Sequence, residues 1–112
     1  ISTPPKSVKK LCEHYQIDLA TIDKVVLHQA NKFMVQTIAK KLKVGSDRVP
    51  LSLRDYGNTT SASIPLTIVS QCAQEYADHS LKTVACGFGA GLSWASVYFE
   101  TSGIACPEVI EI

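Results

Sequence analysis

The sequence predicts an α/β fold in which helices flank a mixed, mostly parallel sheet that ends in an antiparallel strand pair. Helical apolar spacing alternates along the chain with short β-branched runs, and the last two of these runs are separated only by a glycine-rich turn. The chain has 112 residues, of which 46% are hydrophobic and 19% charged, which suits one compact domain with a sizeable core. We assign residues 1–100 to this domain and the turn-rich, acidic residues 101–112 to a tail.

Composition excludes several classes of protein. A formal net charge of +1 offers no basic stripe for nucleic acid, and no apolar run approaches the roughly 20 residues of a membrane-spanning helix. We therefore expect a cytoplasmic protein with neither a nucleic-acid nor a membrane partner. No metal site is predicted, because the cysteine spacings fit no zinc module and His14 and His79 lie among polar neighbours. Cys12, Cys72 and Cys86 are expected to be small core residues.

The first half of the chain predicts a helix, a strand and a second helix. Thr3-Pro4-Pro5 marks a helix start, where the missing N–H of proline has no intrahelical partner to lose. This helix has an apolar face formed by Val8, Leu11, Cys12 and Tyr15. Residues 24–28 form a β-branched run typical of a buried strand. The second helix begins near Ala30 or Asn31 and stops at Gly45. Its apolar face is formed by Met34, Val35, Ile38 and Leu42.

The second half predicts a third helix and the strand pair. Residues 48–53 form a segment too short for a helix and are interpreted as a short strand. Residues 56–59 have the composition of a turn. The third helix is capped by Thr59, Thr60 or Ser61 and tolerates Pro65 in its first turn. Its broad apolar stripe comprises Ile64, Ile68, Val69, Cys72, Ala73, Tyr76 and Ala77. Residues 84–88 and 92–99 then form a hairpin around Gly89-Ala90-Gly91.

Two polar side chains lie where an open α/β sheet binds ligands, at element ends. His28 ends a strand just before a helix, whose N-terminal partial charge favours a neutral imidazole. A neutral imidazole and the Asn58 carboxamide could both donate hydrogen bonds to a developing oxyanion, and each such donor is worth about 3–4 kcal/mol of barrier. From position alone, His28 could equally be a satisfied structural histidine and Asn58 a turn residue.

Three motifs follow one another along the chain: residues 28–31, HQAN, residues 56–65, YGNTTSASIP, and residues 88–94, FGAGLSW. In this order and at matching distances, they resemble motifs of the β-ketoacyl-acyl-carrier-protein synthase III family of condensing enzymes. His28-Gln29-Ala30-Asn31 is similar to the family motif H-Q-A-N. Residues 56–65, YGNTTSASIP, resemble G-N-T-S-A-S-[IV]-P, and residues 88–94, FGAGLSW, resemble the closing turn F-G-[GA]-G-[FL]-[ST]-W. The separation of 30 residues between His28 and Asn58 is also similar to the family's own.

The resemblance implies that residues 1–100 are the C-terminal domain of such an enzyme, one half of a thiolase-like fold. It implies a decarboxylative Claisen condensation, in which an acyl group moves from coenzyme A to a cysteine and malonyl-acyl carrier protein then attacks it. That cysteine belongs to the N-terminal half in the family, and no residue here matches its motif, so this segment alone is expected to be inactive. The implied partners are the missing N-terminal half, acyl carrier protein, acyl-CoA and a second copy in a homodimer. The only implied cofactor chemistry is the coenzyme A or phosphopantetheine that the substrates carry.

The resemblance also assigns site residues. His28 and Asn58 would hold the malonyl thioester oxygen while the enolate forms. The backbone N–H of Ala90, supported by Gly89, would help to form the oxyanion hole for the acylated cysteine. Ala90 stands where many relatives carry glycine, but a backbone donor needs no particular side chain.

The residues that follow His28 are expected near the substrate or its carrier protein. Relatives often carry a basic residue near the position of Phe33 to meet the carrier, and here the adjacent Lys32 is the candidate cation. Gln29 is included in this binding group as part of the motif. Asn31 could orient a water or His28, or it could cap the following helix.

Two other functions fit the same sequence. One is a related enzyme that condenses thioesters in secondary metabolism or hydrocarbon synthesis, which the His28 and Asn58 pair would serve equally well. The other is a non-catalytic module that kept the fold for dimerisation or carrier-protein binding. A cysteine at a strand-to-helix turn in the N-terminal half would favour an enzyme over the non-catalytic module.

Overall fold

The computed structural model describes residues 3–89 and 93–111. Within them the helices are α1 (Thr3–Tyr15), α2 (Lys32–Lys41), α3 (Leu53–Tyr56), α4 (Ser63–Gln71) and α5 (Ala73–Asp78). The strands are β1 (Lys24–Leu27), β2 (Ser80–Gly89) and β3 (Ser93–Ser102). Single turns of 3-10 helix lie at Leu19–Thr21, Ser46–Arg48 and Thr60–Ala62.

The three strands form one mixed sheet in the order β1-β2-β3. β1 and β2 are parallel, with Val25 opposite Val84, while β2 and β3 are antiparallel, with Ala85 opposite Val97. The predicted α/β class, with a C-terminal antiparallel strand pair, is therefore confirmed. Residues 90–92, which include Ala90, lie outside the described residues.

The main core lies between the sheet and the first two helices. Val8 of α1, Ile38 of α2 and two residues of β1, Val25 and Leu27, are fully buried and belong to one hydrophobic cluster. Burying a side chain of this size contributes roughly 1.5–3 kcal/mol, so these contacts fix both helices on the sheet. β1 is buried throughout, whereas β3 at the sheet edge is mostly exposed.

A second, smaller cluster contains the fully buried Tyr76 of α5 together with Cys72 and Leu81. Cys106 of the tail packs against this cluster. All four cysteines are free thiols, and the predicted burial of Cys12, Cys72 and Cys86 is confirmed.

α2 ends earlier than its sequence predicts. Gly45 was the expected stop, but the last helical residue is Lys41, because Lys43 takes the left-handed conformation with φ 57°. The Val44 N–H then donates to the Ala39 carbonyl at 3.0 Å, which closes the helix end. A lysine here does what the sequence pattern assigns to glycine.

The strand predicted within residues 48–53 is wrong. Arg48 ends a 3-10 turn and Leu53 begins α3, and no strand of the described residues lies between them. The backbone of this segment pairs with a side chain instead of a neighbouring strand, because the Ser52 N–H donates to the Gln29 side chain at 3.0 Å. The Arg48 guanidinium in turn donates to the carbonyls of Leu19 and Ile22, which ties the segment to the chain before β1.

The third predicted helix is broken into α4 and α5 at Cys72, whose φ of −130° leaves the helical region. Neither glycine nor proline stands at the break. Tertiary contacts of α5 account for it: the Tyr76 hydroxyl hydrogen-bonds Thr83 of β2 at 2.6 Å, and Glu75 pairs with Lys24 of β1 at 3.0 Å. Packing against the sheet therefore overrides local helical propensity.

α4 also buries a different face from the predicted apolar stripe. Its buried residues are Ser63 and Thr67, whereas Ile64 and Ile68 are only half-buried. No side chain caps the helix, which starts after Ala62, but Pro65 does lie in the first turn as predicted. The polar face of α4 therefore points toward the ends of β1 and β2.

No helix among residues 3–89 and 93–111 has the length and apolar character needed to cross a membrane.

Candidate active site

An open cavity of about 690 Å³ lies beyond the carboxyl ends of the parallel strands β1 and β2. Both predicted donors, His28 and Asn58, line it, although they come from separate segments of the chain. Gly89 at the end of β2 lines the same cavity, together with Phe88. The remaining lining residues are Ala30, Met34, Thr60, Ser61, Ser63, Ile64 and Gly87.

His28 is held by contacts on several sides. Its backbone N–H continues the sheet by donating to the Cys86 carbonyl at 3.0 Å. Its Nδ1 lies 2.7 Å from the Ser63 Oγ. The Phe88 ring meets the imidazole edge to face, with ring centroids 5.1 Å apart at 89°. Because Ser63 occupies Nδ1, Nε2 is the ring nitrogen that a ligand in the cavity would use.

Burial lowers the pKa of His28 below its usual value, because the charged imidazolium is harder to desolvate than the neutral ring. The Thr60 backbone carbonyl raises the pKa and opposes part of this effect, since it favours a protonated ring. The net direction is downward, so a neutral imidazole prevails near pH 7.

Asn58 is held by local turn chemistry. Gly57 before it has φ 66°, a conformation that glycine adopts without strain, as the turn prediction requires. The Asn58 Oδ1 accepts a hydrogen bond from the Thr60 backbone N–H at 2.9 Å. Because an N–H can only donate, the atom facing it must be the carboxamide oxygen. The Asn58 amide NH₂ is therefore left as a donor.

Thr60 adopts an unusual backbone conformation at the cavity wall. Its φ is 54°, in the left-handed region that a β-branched residue rarely occupies. This conformation points its N–H at the Asn58 side chain. Strained residues of this kind persist only where the surrounding structure enforces them, and they concentrate at functional sites.

Gln29 does not reach the cavity. It is fully buried, and its Nε2 donates to the carbonyls of Leu27 at 2.8 Å and Pro50 at 3.4 Å. Its Oε1 accepts from the Ser52 N–H. The structure therefore gives Gln29 a structural position in place of the expected substrate contact, because none of its amide groups is free for a ligand.

The other residues expected to bind substrate or carrier lie around the start of α2. Asn31 is the N-cap, where its Oδ1 accepts from the Met34 N–H at 2.8 Å, so of its two interpretations the structure shows the helix cap. Lys32 and Phe33 are exposed in the first turn, with the Phe33 side chain 70% accessible. Neither lines the cavity, although the next residue, Met34, does.

Sequence reasoning missed Ser63 and Phe88 as neighbours of His28. Both lie inside motifs that were recognised, but the motifs give an order of residues and no contacts. Only the buried, polar face of α4 identifies Ser63, and this face contradicts the helical apolar pattern. Ala90, the expected backbone donor, lies outside the described residues.

The described part of the chain holds no group of three or more His, Cys, Asp or Glu side chains able to bind a metal ion. The arrangement instead offers two neutral hydrogen-bond donors to one cavity. Such donors stabilise negative charge that develops on an oxygen atom.

Comparison with known proteins places this arrangement in context. The model of the family described as "3-Oxoacyl-[acyl-carrier-protein (ACP)] synthase III C terminal" matches residues 12–101. The β-ketoacyl-[acyl-carrier-protein] synthase III of Streptococcus gordonii is 39% identical over 95 residues, which are 82% of this chain and 29% of that protein. Its counterpart in Clostridium acetobutylicum is 40% identical over 94 residues, which are 84% of this chain and 29% of that protein.

Among solved structures, a 3-oxoacyl-(acyl-carrier protein) synthase from Burkholderia xenovorans superposes with a TM-score of 0.91 at 35% identity. The superposition covers 96% of this chain and 31% of that one. The predicted half of a thiolase-like fold is thereby confirmed, and the chain spans less than a third of the length of these relatives.

Proposed function

The chain belongs to the family of the 3-oxoacyl-[acyl-carrier-protein] synthase III C-terminal domain, and from this premise we propose that it is the C-terminal part of a condensing acyltransferase of fatty acid biosynthesis. The proposed reaction is a decarboxylative Claisen condensation between an acyl-CoA and malonyl-acyl carrier protein. The substrates bring their own coenzyme A or phosphopantetheine, and the proposal includes no other cofactor.

One observation carries the proposal: His28 and Asn58 line one cavity from separate segments, each with a donor available. In the proposed step, the malonyl thioester oxygen accepts from His28 Nε2–H and from the Asn58 amide. The bond between the carboxylate carbon and the α-carbon breaks, carbon dioxide leaves, and the electron pair passes to the enolate oxygen. Because both donors are neutral and fixed before the charge develops, they stabilise the enolate without reorganising.

The carbon–carbon bond then forms between the enolate and an acyl group held as a thioester on a cysteine, whose thiolate leaves. We assign that cysteine to the N-terminal half. The thiols of Cys12, Cys72 and Cys86 are buried, and burial raises the pKa of each, which opposes thiolate formation. This chain alone is accordingly proposed to be inactive.

The exposed side of the hairpin supports a missing partner half. Trp94 and Val97 of β3 are 51% and 52% accessible, which is unusual for large apolar residues on a sheet. A second apolar cavity runs beside them and shares Ile64, Phe88 and Gly89 with the first. In the proposal, the N-terminal half covers this surface and completes the acyl pocket, and the complete subunit forms a homodimer.

The carrier protein is proposed to dock beside the start of α2. Lys32 supplies a cation and Phe33 an exposed apolar contact in the first turn of α2, directly before Met34 of the cavity wall. Carrier-borne phosphopantetheine would then enter toward His28.

The proposal is tested by His28→Ala in the complete protein. Release of carbon dioxide from malonyl-acyl carrier protein should fall by at least about 100-fold, because one donor to the enolate is lost. Acylation of the cysteine by acyl-CoA, followed by mass spectrometry, should stay within about twofold, since that step does not use His28 as a donor.

Lys41→Ala provides the control, because this lysine is exposed at the end of α2 and does not line the cavity. Unchanged decarboxylation in His28→Ala would remove His28 from the mechanism. A complete protein that binds carrier protein but neither decarboxylates nor accepts an acyl group would establish the non-catalytic module instead.

A further inference from the structure

Ser63 is the polar side chain that contacts His28 from within the protein. It is the first residue of α4, and it is only 1% accessible to solvent. Its Oγ lies 2.7 Å from the His28 Nδ1 and 3.3 Å from the Gln29 backbone nitrogen.

The hydrogen bonds of Ser63 favour one direction for its contact with His28. The Gln29 N–H can only donate, so the Ser63 oxygen accepts from it. The Ser63 hydroxyl hydrogen then needs an acceptor, because an unpaired buried donor costs about 1–3 kcal/mol. Within the described residues, the unprotonated His28 Nδ1 is the partner that this hydrogen reaches. A proton on Nδ1 would instead leave the Ser63 hydroxyl without one.

We propose that Ser63 is a positioning residue that donates its hydroxyl hydrogen to Nδ1 and so holds His28 as the neutral tautomer with its proton on Nε2. This tautomer presents an N–H to the cavity. The other tautomer would present a lone pair, which repels an oxyanion. The inference about catalysis rests on the proposed function, whereas the tautomer itself is a property of the fold.

Ser63 is held in place by a closed ring of polar contacts. The Thr67 hydroxyl donates to the Ser63 carbonyl at 2.6 Å and lies 2.8 Å from the Ser52 hydroxyl. The Ser52 N–H donates to the Gln29 side chain, and the Gln29 backbone N–H donates to the Ser63 Oγ, which closes the ring. Because the ring closes through four residues, Ser63 cannot rotate its Oγ away from the imidazole without breaking a buried contact.

The first test is ¹⁵N NMR of the complete protein with labelled histidine, in which His28→Gln assigns the His28 signals. At pH above the imidazole titration, the proposal requires a protonated Nε2 and an unprotonated Nδ1. A protonated Nδ1 in the unmodified protein would overturn it, whatever the activity of any variant.

The second test is Ser63→Ala, which removes the hydroxyl and little volume. The His28 imidazole should then become a mixture of its two neutral tautomers, and its pKa should rise. Decarboxylation should fall about tenfold, which corresponds to the free energy of one hydrogen bond. Ser63→Thr restores a hydroxyl and should restore the Nε2–H tautomer. A Ser63→Ala protein with an unchanged tautomer and pKa would show that Ser63 has only a structural role.

Thr83→Val is the control, because it removes the buried hydroxyl of β2 that pairs with Tyr76, and Thr83 lies outside the ring of contacts that holds Ser63. It should lower the melting temperature about as much as Ser63→Ala and leave the His28 tautomer unchanged. A shift of the tautomer in this control would assign the effect to a general loss of stability and overturn a specific role for Ser63.

The positioning role of Ser63 and the proposed function can fail separately. If the predicted tautomer is found but the complete protein does not decarboxylate malonyl-acyl carrier protein, the proposed function fails and the positioning contact stands. If decarboxylation depends on His28 while Nδ1 carries the proton, the positioning role fails and the proposed function stands.

Discussion

The two segments that carry the proposed donors are built in opposite ways. His28 ends a buried strand and is fixed by tertiary contacts to the sheet, to Ser63 and to Phe88. Asn58 is exposed and is fixed by one local hydrogen bond to Thr60, two residues further along the chain. One donor depends on the packed core, and the other depends on the chemistry of a single turn.

This difference separates stability from activity. Changes in the turn of Asn58 should alter activity with little effect on the fold, because few buried groups depend on that turn. Changes behind His28 should affect both, because the same polar contacts hold the core and the imidazole. Substitutions on the two sides therefore test the comparison directly.

Asn58→Asp should give the largest effect on activity. The aspartate still accepts from the Thr60 N–H, so the turn is kept, but an amide donor is replaced by a charged acceptor. Decarboxylation by the complete protein should fall by at least about 100-fold, the usual loss for one such donor. The melting temperature should change by less than about 2 °C, measured by calorimetry on the same sample.

Asn58→Ser separates the loss of the amide donor from the addition of a negative charge. The serine hydroxyl can still accept from the Thr60 N–H, but it carries no charge. The serine variant should be less damaging than the aspartate. Equal activity of Asn58→Asp and the unmodified protein would exclude the amide as a donor to the enolate.

Gln29→Ala should give the largest effect on stability. It leaves the Ser52 N–H and the carbonyls of Leu27 and Pro50 without their side-chain partner in the core. We expect the free energy of unfolding to fall by about 2–4 kcal/mol, since unpaired buried groups cost about 1–3 kcal/mol each and water can recover part of the loss. Urea unfolding of the complete protein measures it.

Gln36→Ala is the matched control, because Gln36 is an exposed glutamine of α2. It should change the free energy of unfolding by less than about 0.5 kcal/mol. If Gln29→Ala were equally mild, the His28 segment would not depend on buried polar contacts, and the contrast between the two segments would be lost.

Sequence alone predicted the parts of the fold that depend on local patterns. β1 is a short, mostly apolar run, and the β2–β3 pair follows from two largely apolar runs on either side of a glycine-rich segment of the sequence. Prediction from the sequence failed where contacts between distant residues decide the local structure. The break at Cys72 has no glycine or proline to announce it, because the cause lies in Tyr76 binding Thr83 on another element.

In the site, too, local sequence patterns were predictive and contacts between distant residues were not. The motifs predicted that His28 and Asn58 are the polar residues at element ends, and the structure brings both to one cavity. Their supports could not be predicted, since Gln29 lies next to His28 in the motif yet points into the core. Ser63 is equally hidden, because a buried serine at a helix start has the same pattern as an exposed cap.

Thr60→Gly should stabilise the fold slightly and is the finest test of the comparison. Glycine relieves the left-handed strain of about 1–2 kcal/mol but loses more conformational entropy on folding, so the net gain should be about 0.5–1 kcal/mol. Lys43→Gly, at nearly the same φ but at the exposed end of α2, should gain a similar amount. Only Thr60→Gly should lower decarboxylation, because the freed backbone no longer holds its N–H on Asn58. Equal activity of the two glycine variants would mean that the Asn58 carboxamide needs no support from Thr60, and that both donors are held by the core alone.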